Sequence, residues 1–333
     1  MKKIFFIAWS FFTLSSLHAM QEANETNLID ASIDFRTFYY YGERENRAER
    51  EALAIGGILK ATTQKFYGLS GSVAFYTSHD MLHYGADADM RYGTFDRSNI
   101  AGGSELVLSN GDAIDTIGEA YIEYSFAQTS LRYGRQRINT PLVNDFYNRF
   151  LPNSFEAITL ESHEIENTKL FLSNISRWKY KSEADFKKFT TDSSSFKSLY
   201  IAGVEHTLTK DTKFSLYYYR MPQMLHSGYI EVDTSESLTQ EINLRTQLHY
   251  LYQKSLQDAL LGDIDTYLAG AKITLDYRNS WYLSALLDKV GNDTIRATGA
   301  DYANLGLSSF INYTDLQIDG EALNAKALSY GII

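Results

Sequence analysis

LRYGRQRINTPLVNDFYNRFLPNSFE, residues Leu131 to Glu156, is where the chain changes character. The whole sequence has three prolines, and two of them, Pro141 and Pro152, lie in this stretch. On either side apolar and polar residues alternate in short segments. Across 137–154 alternation stops, and Arg, Asn and Asp mix with bulky apolar groups. A long irregular segment inside an alternating chain is a functional or binding loop more often than a connector. We read it as a loop folded into the mouth of a pore, with the rest of the chain as the surrounding wall.

The surrounding pattern has period two, the strand signal. In 30–41, Ile33, Phe35, Tyr39 and Tyr41 share one face, and Asp34 and Arg36 the other. Segments 52–61, 66–77, 117–126, 129–136, 155–162 and 168–180 follow the same rule, as do 212–221, 241–252, 267–277 and 281–289. Strands of about 9–11 residues suit a tilted crossing of the bilayer core. The gaps alternate as well. Those at 42–51, 78–115, 137–154, 181–197, 253–266 and 290–320 are long, and those at 62–65, 127–128, 163–167, 209–211 and 278–280 are short. Short turns on one rim and long loops on the other are the habit of outer-membrane barrels. Only 222–240 resists the scheme. About 14 strands are expected, which makes 137–154 the third long loop.

Composition agrees with a barrel. Lys2 and Lys3 precede an apolar run from Ile4 to Leu17 and small residues ending at Ala19, so 1–19 reads as a signal peptide. No later apolar run reaches the length of a spanning helix, and mean hydropathy is −0.29. A barrel is invisible to such averages because its two faces cancel. The chain has no cysteine, which excludes disulfides and thiolate metal sites, and its net charge of −10 argues against nucleic acid as a partner. The 25 tyrosines and 19 phenylalanines suit membrane–water interfaces.

A diffusion pore needs a charge field and a size limit, with no catalytic residue. By alternation, Arg36, Lys60, Arg132, Arg177, Lys179, Lys213, Arg245 and Lys272 face the lumen, together with acids such as Glu119, Glu123, Glu241 and Asp276. In the loop, Arg135, Arg137, Asp145 and Arg149 have two readings: they form the eyelet, or they pin the loop to the wall by ion pairs. Phe146, Tyr147 and Phe150 read as packing groups. His79, Asp80, His83, Asp87 and Asp89 lack a recurring metal-ligand spacing and read as a solvated loop. No nucleophile motif joins the Ser, His and Asp residues, so neither an enzyme nor a cofactor is expected.

Gly134-Arg135-Gln136, Pro141-Leu142, Asp145, Arg149, Leu151-Pro152 and Phe155-Glu156, in that order and spacing, resemble the OprD family of outer-membrane porins, also called outer membrane carboxylate channels. The resemblance implies an all-β, antiparallel transmembrane barrel of about 18 strands. It implies passive diffusion of small anionic or carboxylate-bearing solutes, amino acids among them, past an inward third loop and a ladder of basic residues. It also implies a Gram-negative outer membrane, with lipid, lipopolysaccharide and the barrel-assembly machinery as surroundings, and a monomer or weak homo-oligomer. Two departures stand out. Ala157 follows Phe155-Glu156 where the family has Gly, and part of the ladder belongs to final strands not seen here. The segment Ala322–Ile333 stops without a terminal aromatic, so the chain is expected to be a fragment lacking roughly four strands. The competing functional readings are a non-conducting structural or adhesive barrel that binds through its long loops, and a soluble exported β-protein.

Overall fold

Apolar side chains at every second position leave each strand one oily face, and hydrogen bonding to both neighbours satisfies its backbone. The computed structural model describes residues 28–42, 50–82, 100–145, 147, 149–188, 198–256, 263–278, 280–291 and 324–332. The expected signal peptide, His83, Asp87, Asp89 and Phe146 lie outside them.

The strands are β1 (Ile29–Gly42), β2 (Arg50–Thr63), β3 (Leu69–Asp80), β4 (Ile114–Phe126), β5 (Thr129–Gln136), β6 (Ser154–Ser162), β7 (Thr168–Lys179), β8 (Lys187–Lys188), β9 (Leu199–Thr209), β10 (Thr212–Met221), β11 (Leu225–Ser237), β12 (Ile242–Ser255), β13 (Asp265–Tyr277), β14 (Trp281–Val290) and β15 (Asn324–Ile332). They form one sheet in chain order, with β8 paired to β7 beside the main path. Every pairing is antiparallel between neighbours in sequence, apart from β8, so each connection is a hairpin.

The unassigned region 222–240 proves to be β11, entered by a turn of three residues, 222–224. Alternation was hard to read there because β11 carries Gly228 on its outer face and Tyr229 on its inner one. Tyr229 is 3% exposed, while Ile230 beyond it is 37% exposed. The turn at 222–224 is also a short one on the long-loop rim, so that rim is uneven.

One face of the sheet carries exposed apolar groups: Phe35, Leu59, Val73, Ile122, Tyr133, Leu172, Leu216, Leu248, Ile273 and Leu283 among others. A water-soluble surface avoids an apolar area of that extent. Phe66, Tyr67, Tyr124, Phe126, Tyr277 and Trp281 are exposed near the short turns, where an aromatic girdle would meet the membrane interface. The opposite face holds Ser70, Ser72, Glu119, Thr159, Ser173, His249 and Asp288, all buried.

β5 carries a local adjustment. Gly134 has φ +126, and a Cβ there would overlap the Ala120 carbonyl oxygen of β4. Only glycine lets the two backbones meet at that point, just before the chain leaves the wall.

Candidate functional site

The connection between Gln136 of β5 and Ser154 of β6 is apolar at both ends of its course, and each end finds a different wall. Ile138, Leu142 and Val143 pack in one cluster with Phe155, Phe171, Ile175, Trp178, Tyr217 and Tyr219, from β6 through β10. Phe150 and Leu151 pack in another with Ala52, Ala54, Ala74, Tyr76, Leu106 and Ile114, from β2 through β4. The three alanines leave room for the loop's larger groups. Hydrogen bonds repeat the span: the Leu142 N–H donates to Tyr219 Oη of β10 at 3.2 Å, and Tyr147 Oη donates to Asp34 of β1 at 3.1 Å. A loop can reach both β1 and β10 only if the sheet curves around it, so the polar face is the concave one.

Asp145 is the loop's internal clasp. It takes two bonds from Arg137, Nε at 2.8 Å and Nη2, and the Asn139 amide lies at 3.4 Å. Its carbonyl accepts the Asn153 N–H at 2.6 Å, which closes the loop on itself. Burial pulls the Arg137 pKa down, but the Asp145 carboxylate more than offsets this and the net shift is upward. Arg137 also lies over the Tyr147 ring, 4.9 Å from its centre, and Arg36 covers the same ring at 4.2 Å. Burial raises the Tyr147 pKa, so its hydroxyl stays a donor to Asp34.

Arg149 lies over the Tyr40 ring and points its Nε at Glu105, 3.8 Å away. Arg135 is placed differently. Its guanidinium donates to the Ile117 carbonyl at 3.3 Å, stacks on Phe186 at 4.4 Å and stands 4.0 Å from Glu156. It belongs to the wall beside the loop. The loop charges that meet one another are Arg137 and Asp145.

The expected ladder divides into groups. Arg36 is bidentate with Asp34 at 2.9 and 2.6 Å, and Lys60 meets Glu119 at 2.8 Å. Arg132 grips Glu123 at 2.6 Å, and Arg245 grips Asp233 at 2.9 and 2.5 Å. Lys213 and Lys272 make no ion pair among the described residues. They sit in one lateral row, because Lys213 pairs in register with Asp233, Asp233 with Gln247, and Gln247 with Lys272.

Simple alternation along β7 places Arg177 and Lys179 with this group, and the structure corrects both positions. A register shift beside Ser176 puts Arg177 opposite Glu156, in line with Arg135 rather than with the lumen bases. Lys179 is wholly buried, its Nζ donating to the carbonyls of Tyr180 and Glu183 at 3.1 and 3.2 Å. His79 pairs with Asp115 at 3.3 Å, and Asp80 accepts the Leu53 and Leu82 N–H groups.

Three further groups escape sequence reading: Glu105, Tyr180 and Lys181. Lys181 Nζ meets Glu105 at 2.8 Å, and Tyr180 Oη donates to Glu105 at 3.3 Å. The Lys181 N–H donates to Asn153 Oδ1 of the loop at 2.9 Å. Glu105 lies between β3 and β4, and Tyr180 and Lys181 lie between β7 and β9, so no local pattern links the acid to its partners.

An antiparallel sheet that is apolar outside and polar inside, with a long connection pinned across its hollow, defines a transmembrane β-barrel of the porin class. The profile of the outer membrane porin family OprD matches residues 29–325, and the chain belongs to that family. No curated protein sequence matches the chain. Pseudomonas aeruginosa OccK9 (OpdG) superposes with a TM-score of 0.73 at 16% identity, covering 91% of this chain and 77% of that one. Pseudomonas aeruginosa OccK2 (OpdF), solved in complex with glucuronate, gives 0.63 at 16%, covering 80% and 66%. Pseudomonas aeruginosa OpdK with vanillate gives 0.65 at 17%, covering 80% and 68%. At such identities these likenesses speak for the barrel fold.

Proposed function

We propose that the chain forms most of the wall of a diffusion channel in a Gram-negative outer membrane, exported by a signal peptide at 1–19, and that 137–154 is its constriction. The observation that carries this reading is the loop's attachment to β1 and β10 at once. A segment anchored to both sides of a hollow leaves passage only beside itself. The neutralised pairs Arg36–Asp34 and Lys60–Glu119 line the narrow part. A solute would therefore meet alternating, largely compensated charge there, with Lys213 and Lys272, which have no ion pair among the described residues, as cations nearer the short-turn rim.

The solutes we assign are small and carboxylate-bearing. Two relatives hold such molecules, glucuronate and vanillate. Exposed lysines attract anions without the tight bidentate grip of arginine, and weak binding favours release. No catalytic step is required. Swelling of proteoliposomes tests the assignment: glucuronate should enter several-fold faster than a neutral sugar of equal size. Equal rates for the two would remove the carboxylate preference.

A further inference from the structure

Glu105 occupies an unusual backbone position. It closes the short 3-10 turn at Gly102–Ser104 with φ 61 and ψ 20, the left-handed region. Glycine or asparagine adopts that conformation more readily than glutamate. Yet the side chain here gathers three partners. Lys181, 1% exposed at its side chain, meets Glu105 Oε2 at 2.8 Å. Arg149 reaches the same oxygen at 3.8 Å, and Tyr180 Oη donates to Oε1 at 3.3 Å.

These partners belong to separate long connections. Glu105 lies between β3 and β4, Arg149 between β5 and β6, and Tyr180 and Lys181 between β7 and β9. Asn153 completes the junction by accepting the Lys181 N–H. We propose that Glu105 is the positioning residue of the constriction, joining three long connections through one carboxylate and holding the charges of Arg149 and Lys181 out of the pore field. The proposal rests on the reading of 137–154 as a constriction.

The physical reason is that a buried ammonium needs a partner, and Lys181 has Glu105. Removing that charge takes the carboxylate away from a buried ammonium, which favours its deprotonation or a shift toward water. Either outcome loosens its connection from Asn153 and from the loop. Arg149 is released at the same time, and its charge turns toward the passage.

Single-channel recording of the refolded full chain in planar bilayers provides the test. The E105Q variant should flicker between current levels at least fivefold more often than the wild type. Its chloride-over-potassium permeability ratio should rise about twofold, because two cations lose their counterion. E105D should restore both properties in large part. E105G separates the carboxylate from the backbone: it relieves the left-handed position, yet it should behave like E105Q. K181M addresses the same contact from the other side and should flicker without the anion shift. If E105Q does not refold, E105G and K181M carry the test. An E105G channel with wild-type flicker and selectivity overturns the proposal, because the side chain then does nothing. Wild-type behaviour of both E105Q and K181M in a conducting channel does the same. A wild-type protein that never conducts removes the constriction reading first, and this proposal with it.

Discussion

At the scale of single residues, charge compensation decides what each base can do. Arg36, Lys60, Arg132 and Arg245 are held by carboxylates on their own or the adjacent strands, or, for Lys60, two strands away. The more open pairs, Arg36–Asp34 and Arg245–Asp233, contribute about 0.2–1 kcal/mol each to stability, and the main effect of all four is to flatten the field. Lys213 and Lys272 lack that compensation among the described residues. K213M and K272M should therefore each lower glucuronate permeation two- to fivefold, while R132M changes it little. An R132M effect larger than either would contradict this ranking. Arg137 and Asp145 form a stronger clasp, and removing one partner should cost about 1.5–3 kcal/mol, the range for a hydrogen bond to a charged group. A double-mutant cycle of R137Q and D145N, read by urea unfolding from lipid vesicles, should show coupling. Strict additivity would mean that the clasp is idle. Lys181 adds a pH dependence whose sign can be worked out. Burial lowers its pKa, Glu105 only partly offsets that, and the folded value lies below 10.5. Between the two values the unfolded chain binds more protons, so stability gained from this site grows as pH rises through the window. Wild type should gain on K181M as pH rises toward 10.5, and the gain should level off above it. A difference independent of pH would contradict the assignment.

At the scale of elements, glycines show where the wall is under constraint. Gly134 meets the Ala120 carbonyl at a positive φ, whereas a Cβ on Gly228 would meet nothing within 4 Å. G134A should destabilise the barrel by about 1–3 kcal/mol, the usual cost of forcing a side chain into such a conformation, while G228A stays near neutral. Heat-dependent gel migration and urea unfolding measure both. Equal effects would show that Gly134 is not where β4 and β5 limit each other. Most strands were legible in the sequence, because period two survives wherever one face meets lipid, as in β12 and β13. β11 was not, since Gly228 and Tyr229 invert the size pattern across its two faces. The Ser176 register shift was equally hidden, because an extra residue changes the parity of Arg177 without altering composition. The loop was visible as a break in alternation, but its partners were not. Tyr219 lies far along the chain, and Glu105 sits in a connection that reads as solvated.

At the scale of the molecule, two surfaces with opposite demands account for the architecture. The outer face exposes Leu, Ile, Val, Tyr and Phe, and the concave face buries Ser, Thr, Glu and Asp. The two average to a hydropathy of −0.29, which conceals the membrane protein from any window. The chain spans 66% of the length of OccK2 and 77% of OccK9, and within that share the loop attaches to both sides of the hollow. The central claim is that this loop narrows a conducting passage. It is tested most directly by planar-bilayer conductance of the wild type beside a variant in which 138–152 is replaced by a short Gly-Ser linker. The account predicts discrete channels in both, with a several-fold larger conductance in the variant. Equal conductance in the two proteins, or none from either, would contradict it.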